Sequence, residues 1–267
     1  MLTSIYNAER QPIPIKSFHI VLPIVIIGLF LIGYHQLSDD NPVVMLVGWF
    51  PFLLKGFSLN ILISLLAMGL GTFAGLFIGW LATLDIVFVR VIARWYVQLF
   101  RNAPLLVLVF FTNYVFPFEL KITDIYIPFP DWVKVIVGLA LPASAHVAEI
   151  FRGAIQSIPA TQWEASTSMA FSRSQAMRWI ILPQCFRRML PPWMNLYSSI
   201  TMATTLSSLV GVSDLLESTR NAATTINQTN FTMLVYFAAL VFFFIYCYPI
   251  ARFTRQLEKR LNNCSEM

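Results

Sequence analysis

Six predominantly apolar runs, 18–34, 57–83, 95–116, 132–150, 193–211 and 231–250, constrain the folding of this 267-residue chain more than any other feature. The hydrocarbon core of a bilayer is about 30 Å thick, and about 20 apolar residues of α-helix cross it at about 1.5 Å per residue. No water inside that layer can satisfy a backbone N–H or C=O, so runs of this length are expected to be helices. The runs 57–83, 193–211 and 231–250 carry no charged residue. The run 95–116 is interrupted by Arg101 and Pro104. That pattern predicts a helix that enters through the head groups and kinks at the proline. Arg10 and Lys16 precede 18–34 as they would in a secretory signal, but Tyr34-His35-Gln36-Leu37 lacks the small residues of a cleavage site. The run is read as a retained helix.

Charge supplies the orientation. Fourteen Lys and Arg fall on one side of a six-span arrangement, against only Lys55, Lys121, Lys134 and Arg220 on the other. The positive-inside rule then places both termini and the long 152–190 segment in the cytoplasm. Composition agrees, with 57% hydrophobic and 12% charged residues, where soluble domains carry about 25% charged. A soluble enzyme, a nucleic-acid binder and a disordered scaffold are therefore excluded as readings. Cys185, Cys247 and Cys264 have no metal-binding spacing, and His19, His35 and His146 are scattered. No bound metal is expected.

Gly71, Gly75 and Gly79 recur at four-residue spacing within 57–83. They form a flat strip against which another helix backbone can lie. The segment 155–192 has helix punctuation rather than loop composition. Thr161-Gln162-Trp163-Glu164 and Ser172-Arg173-Ser174-Gln175 both read as capping boxes. They predict short helices over about 162–170 and 173–182, the second ended by Pro183. A helical pair outside the membrane fits a docking element for another protein; the alternative is an amphipathic helix lying on the bilayer.

The same residues carry a resemblance. Glu164-Ala165-Ser166, three residues, Ala170, nine residues, then Ile180-Ile181-Leu182-Pro183 resembles the EAA signature of ABC-importer permeases. Phe100-Arg101-Asn102-Ala103-Pro104 and Ala148-Glu149-Ile150-Phe151-Arg152-Gly153 resemble the polar amino-acid uptake branch of that family. The resemblance implies an all-α membrane protein with the type I ABC-importer permease fold. Its five-helix core would cover 55–260, preceded by 1–54 with one extra transmembrane helix and an external loop, and followed by a cytoplasmic tail, 261–267.

By resemblance the chain is a bacterial inner-membrane subunit that imports a polar amino acid or a close relative such as an opine. It would bind no cofactor of its own. ATP and Mg would sit on two copies of a partner ATPase, and no G-x-x-x-x-G-K-[ST] phosphate loop occurs in the chain. A second permease subunit, identical or homologous, and an extracytoplasmic solute-binding protein would complete the assembly, without nucleic acid. Coupling to the ATPase is expected at Thr161, Trp163, Glu164, Ala165, Met169 and Ala170, with Trp163 and Met169 buried in the ATPase groove. Ala170 stands where the signature has Gly, and Met202 where relatives often have Lys.

Pathway residues must be polar where polarity is costly. Thr201, Thr204 and Ser208 share a helix face, and their hydroxyls could meet a zwitterionic solute or bond to carbonyls of their own helix. Glu149 could hold a substrate ammonium or pair with Arg152 at i,i+3. Asn60 is a further candidate, and His146 is read as a packed aromatic. An ion-driven secondary transporter is the alternative function; paired intramembrane carboxylates or an inverted repeat would favour it, and neither is evident. A membrane enzyme would need a nucleophile–base pair that the runs do not offer.

Overall fold

The computed structural model describes residues 41–265, apart from 85, 118, 123 and 124. The expected span 18–34 lies outside the described residues. Helix α1, Pro42–Leu81, begins fifteen residues ahead of the apolar run that announced it. Asn41 accepts from the Val43 N–H at 2.9 Å and Pro42 occupies the first turn, where its missing N–H costs nothing. Residues 42–54, expected as part of an external loop, are therefore helical. Forty residues make a rod of about 60 Å, longer than the hydrocarbon core.

The expected span 95–116 is two helices. Ala103 is extended ahead of Pro104, as the proline ring requires, and separates α2, Val87–Asn102, from α3, Leu105–Val115, at an angle of 106°. A hairpin follows, with β1, Glu119–Ile122, antiparallel to β2, Ile125–Pro128, so that Glu119 lies opposite Pro128. It is the one departure from all-α architecture among the described residues. Helix α4, Asp131–Gln156, leads to α5, Ala160–Ser168, and α6, Arg173–Ala176.

The second capping box forms as expected: the Gln175 N–H donates to Ser172 Oγ, and Gln175 Oε1 accepts from the Ser172 N–H. The first does not form. Helix α5 starts at Ala160, directly after Pro159, which moves Thr161 inside the helix and leaves the end without a side-chain cap. Pro183 does not end the helical run either. A wide π turn over Met177–Ile181, closed by the Leu182 N–H on the Met177 carbonyl, carries the chain into α7, Leu182–Ala203. A 3₁₀ segment, Thr204–Val210, ends at Gly211, whose φ of +85° suits glycine. Then come α8, Leu215–Ile226, bent 51° from the preceding run and expected only as external loop, and α9, Thr229–Ser265.

Among the described residues three helices, α1, α4 and α9, are long and apolar enough to cross a membrane, and up to five spans result if each bent pair counts as one. The glycine strip explains the main packing. A Cβ on Gly75 would lie 2.5 Å from the Ser144 carbonyl oxygen, and one on Gly71 2.7 Å from Ala143 Cβ, so α1 and α4 touch backbone to backbone. One core joins Ile63, Met68, Val109, Leu139, Val147 and Ile200 across α1, α3, α4 and α7. A second joins Leu53, Phe57, Leu215 and Phe231, and a third joins Phe151, Ile158, Ile181 and Cys185 beneath α5.

Candidate functional site: an exposed docking helix and a buried polar lock

Helix α5 is short and mostly exposed, and Trp163 and the buried Ser166 form its inner side. Trp163 packs partly buried against the core of Phe151, Ile158, Ile181 and Cys185, and Ser166, buried, donates to the Trp163 carbonyl at 2.7 Å. Trp163 thus faces its own subunit. Thr161, Glu164 and Ala165 are exposed, and Met169 is 70% exposed. An exposed methionine beside exposed small residues leaves an adaptable apolar surface. Ala170 keeps the left-handed turn that glycine would make freely, at φ +59°. Ala170→Gly removes that strain, and we expect the thermal midpoint to rise by the equivalent of a few tenths to about 1 kcal/mol.

Of the pathway candidates, Asn60 and Thr204 are brought together, in a buried polar lock. Asn60 and Thr204 are both fully buried, and Asn60 Nδ2 donates to Thr204 Oγ1 at 2.9 Å and to Asp214 Oδ2 at 3.2 Å. Asn60 Oδ1 accepts from the Leu215 N–H at 2.9 Å. Asp214 caps α8 by accepting from the Glu217 N–H, and its other oxygen accepts from Ser207 Oγ at 3.0 Å. One asparagine in α1 thereby fixes the junction between the 3₁₀ segment and α8. Thr201, Thr204 and Ser208 donate to the carbonyls of Tyr197, Thr201 and Thr205, so each hydroxyl proton is taken by its own helix. The part that Asp214 plays was missed in the sequence. The Asp-x-x-Glu spacing of Asp214 and Glu217 was the available signal for a helix start there.

Glu149 adopts its structural alternative. It makes a two-bond ion pair with Arg152, one bond at 2.9 Å, and lies 3.6 Å from Arg101. It sits in the wall of a cavity of about 450 Å³ bounded by α2, the end of α4, Thr83 and Arg173. His146 is half-buried. Among the described residues no group of three His, Cys, Asp or Glu side chains is placed to hold a metal ion.

A long glycine-packed helix pair, a bent helix pair and a short exposed helix between apolar ones make this a helical protein of membrane type. The profile described as binding-protein-dependent transport system inner membrane component matches residues 71–263. The chain belongs to that family: it is a multi-pass membrane permease. It is 34% identical to the probable amino-acid ABC transporter permease protein YckA of Bacillus subtilis (strain 168), over 79% of this chain and 89% of that one. It is 30% identical to the glutamine transport system permease protein GlnP of Escherichia coli (strain K12), over 79% and 93%. The fold is also that of a chain in the crystal structure of an amino acid ABC transporter with histidines. The TM-score there is 0.72 at 23% identity, covering 84% of this chain and all of that one.

Proposed function

We propose that this permease passes a polar amino acid, or a close relative such as an opine, inward across the bacterial inner membrane. ATP with Mg is hydrolysed on two separate ATPase subunits, and this chain contributes no ATPase site. The partners in this reading are a second permease, identical or homologous, and an extracytoplasmic solute-binding protein. Both termini and α5 face the cytoplasm, in keeping with the Lys and Arg distribution. The names of the relatives support the substrate class, since YckA and GlnP are described as amino-acid and glutamine permeases.

The observation that carries the coupling is the two-sidedness of α5. Trp163 and Ser166 bind it to the permease, while Glu164, Ala165 and Met169 are turned outward. A partner gripping that outer face moves α5, and α6 and α7 move with it. Glu164→Arg with Met169→Asp changes only exposed groups, so the thermal midpoint should hold within about 0.5 kcal/mol. Co-purification of the ATPase should fall more than about tenfold, because an apolar contact is replaced by a charge facing a buried surface. Undiminished co-purification with intact transport would refute the coupling role.

A further inference from the structure

We propose that the cavity between α2 and the end of α4 seats the phosphate of an anionic phospholipid headgroup. The argument begins with the three faces of α2. Val87, Phe88, Val91, Ile92, Trp95 and Leu99 are all exposed and, at about 100° per residue, fall within one arc. Ala93 and Val97 are buried against the protein. Arg90, Arg94 and Arg101 follow one another at four- and seven-residue spacing and form a row beside the apolar arc. A helix with one apolar arc, one basic row and one protein-facing side lies in the plane of the membrane interface. The 106° bend to the apolar α3 fits this, because α3 then turns into the hydrocarbon. The arginine row is thereby held at headgroup depth.

The cavity behind that row has about 450 Å³ of space, room for a phosphate with its glycerol. Arg90 is fixed in place, with Nε and Nη2 both donating to the Leu84 carbonyl at 3.0 and 2.9 Å. Glu149, the one acid among the described residues of the lining, is already engaged by Arg152 and faced by Arg101. Arg94 lies one turn from Arg90 in the same wall; it is exposed and makes no ion pair or hydrogen bond among the described residues. Guanidinium forks match phosphate oxygens two at a time. Basic pockets between helices at the membrane surface hold anionic headgroups for this reason. The inference requires only that the chain lies in a bilayer, not the solute or the orientation proposed above.

The test is native mass spectrometry of the purified transporter after exchange into phosphatidylglycerol, or into phosphatidylcholine of the same chain length, comparing wild type with Arg94→Gln and Arg94→Lys. Wild type should retain phosphatidylglycerol about fivefold more than Arg94→Gln, the effect of one arginine at the surface. Arg94→Lys should fall between them, and phosphatidylcholine should show no difference. An excess of inorganic phosphate should leave the bound lipid in place. Equal retention by wild type and Arg94→Gln, with matching thermal midpoints, would overturn the proposal. Full displacement by inorganic phosphate would also overturn it, assigning the cavity to a soluble anion.

Discussion

Asn60→Leu should leave little folded protein in the membrane. The substitution keeps the number and branching of the side-chain heavy atoms but strips three groups of a partner. The Leu215 N–H loses its one acceptor among the described residues, and Thr204 Oγ1 and Asp214 Oδ2 each lose a donor in a buried site. Each buried polar group left unmatched costs about 1–3 kcal/mol, so a loss of about 3–5 kcal/mol is expected, a large share of the stability of most proteins. Thermal unfolding in detergent and the inserted fraction in membranes measure it. Asn60→Asp should be worse, since it sets two carboxylates about as close as the present 3.2 Å contact. Combining it with Asp214→Asn restores one charge and one amide, and the double variant should recover much of the loss. Simple additivity of the two effects would mean that the residues do not act through each other.

Gly75→Val should break the contact between α1 and α4. The obstruction is the Ser144 carbonyl, 2.5 Å from where the new Cβ would sit, with Val147 Cβ at 2.7 Å. Neither is the free end of a flexible chain. A backbone carbonyl inside a helix yields only by moving the helix, so the cost should exceed the usual 1–3 kcal/mol or so of overpacking. Gly69→Val is the control: it lies on the same helix with nothing within 4 Å of its added Cβ. Its effect should stay within about 0.5 kcal/mol. A variant at Gly75 as well tolerated as one at Gly69 would show that the two helices do not meet through the glycine strip.

Both predictions show which parts of the molecule could be read from the residue order. Hydrophobic run length found the long helices because bilayer thickness sets a length that a sequence must meet. Glycine spacing found the α1 face because closeness of backbones leaves no other residue possible there. The capping box at Ser172 formed because no competing start lay ahead of it, whereas Pro159 opened α5 before Thr161 could cap it. The polar lock was harder to read: it joins Asn60 to residues more than 140 positions away, and no local pattern reports such a distance. Helix α8 was missed because its sequence is polar and short, and the one local signal for its start was the spacing of Asp214 and Glu217. The hydroxyls of Thr201, Thr204 and Ser208 left two readings open in the sequence, and all three donate to carbonyls one turn back.

The wide turn at Met177–Ile181 has a mechanical corollary. A proline that supplies no amide hydrogen would ordinarily put a corner in the chain, and a corner absorbs motion. Here the chain passes Pro183 without one and runs helically from Arg173 to Val210. Arg188 also donates to the Ser157 carbonyl at 2.8 Å, lashing this run to the end of α4. We expect a tilt imposed near Arg173 to be carried toward the far tip, where Asn60 and Asp214 sit, because the run stays helical past Pro183, Pro191 and Pro192.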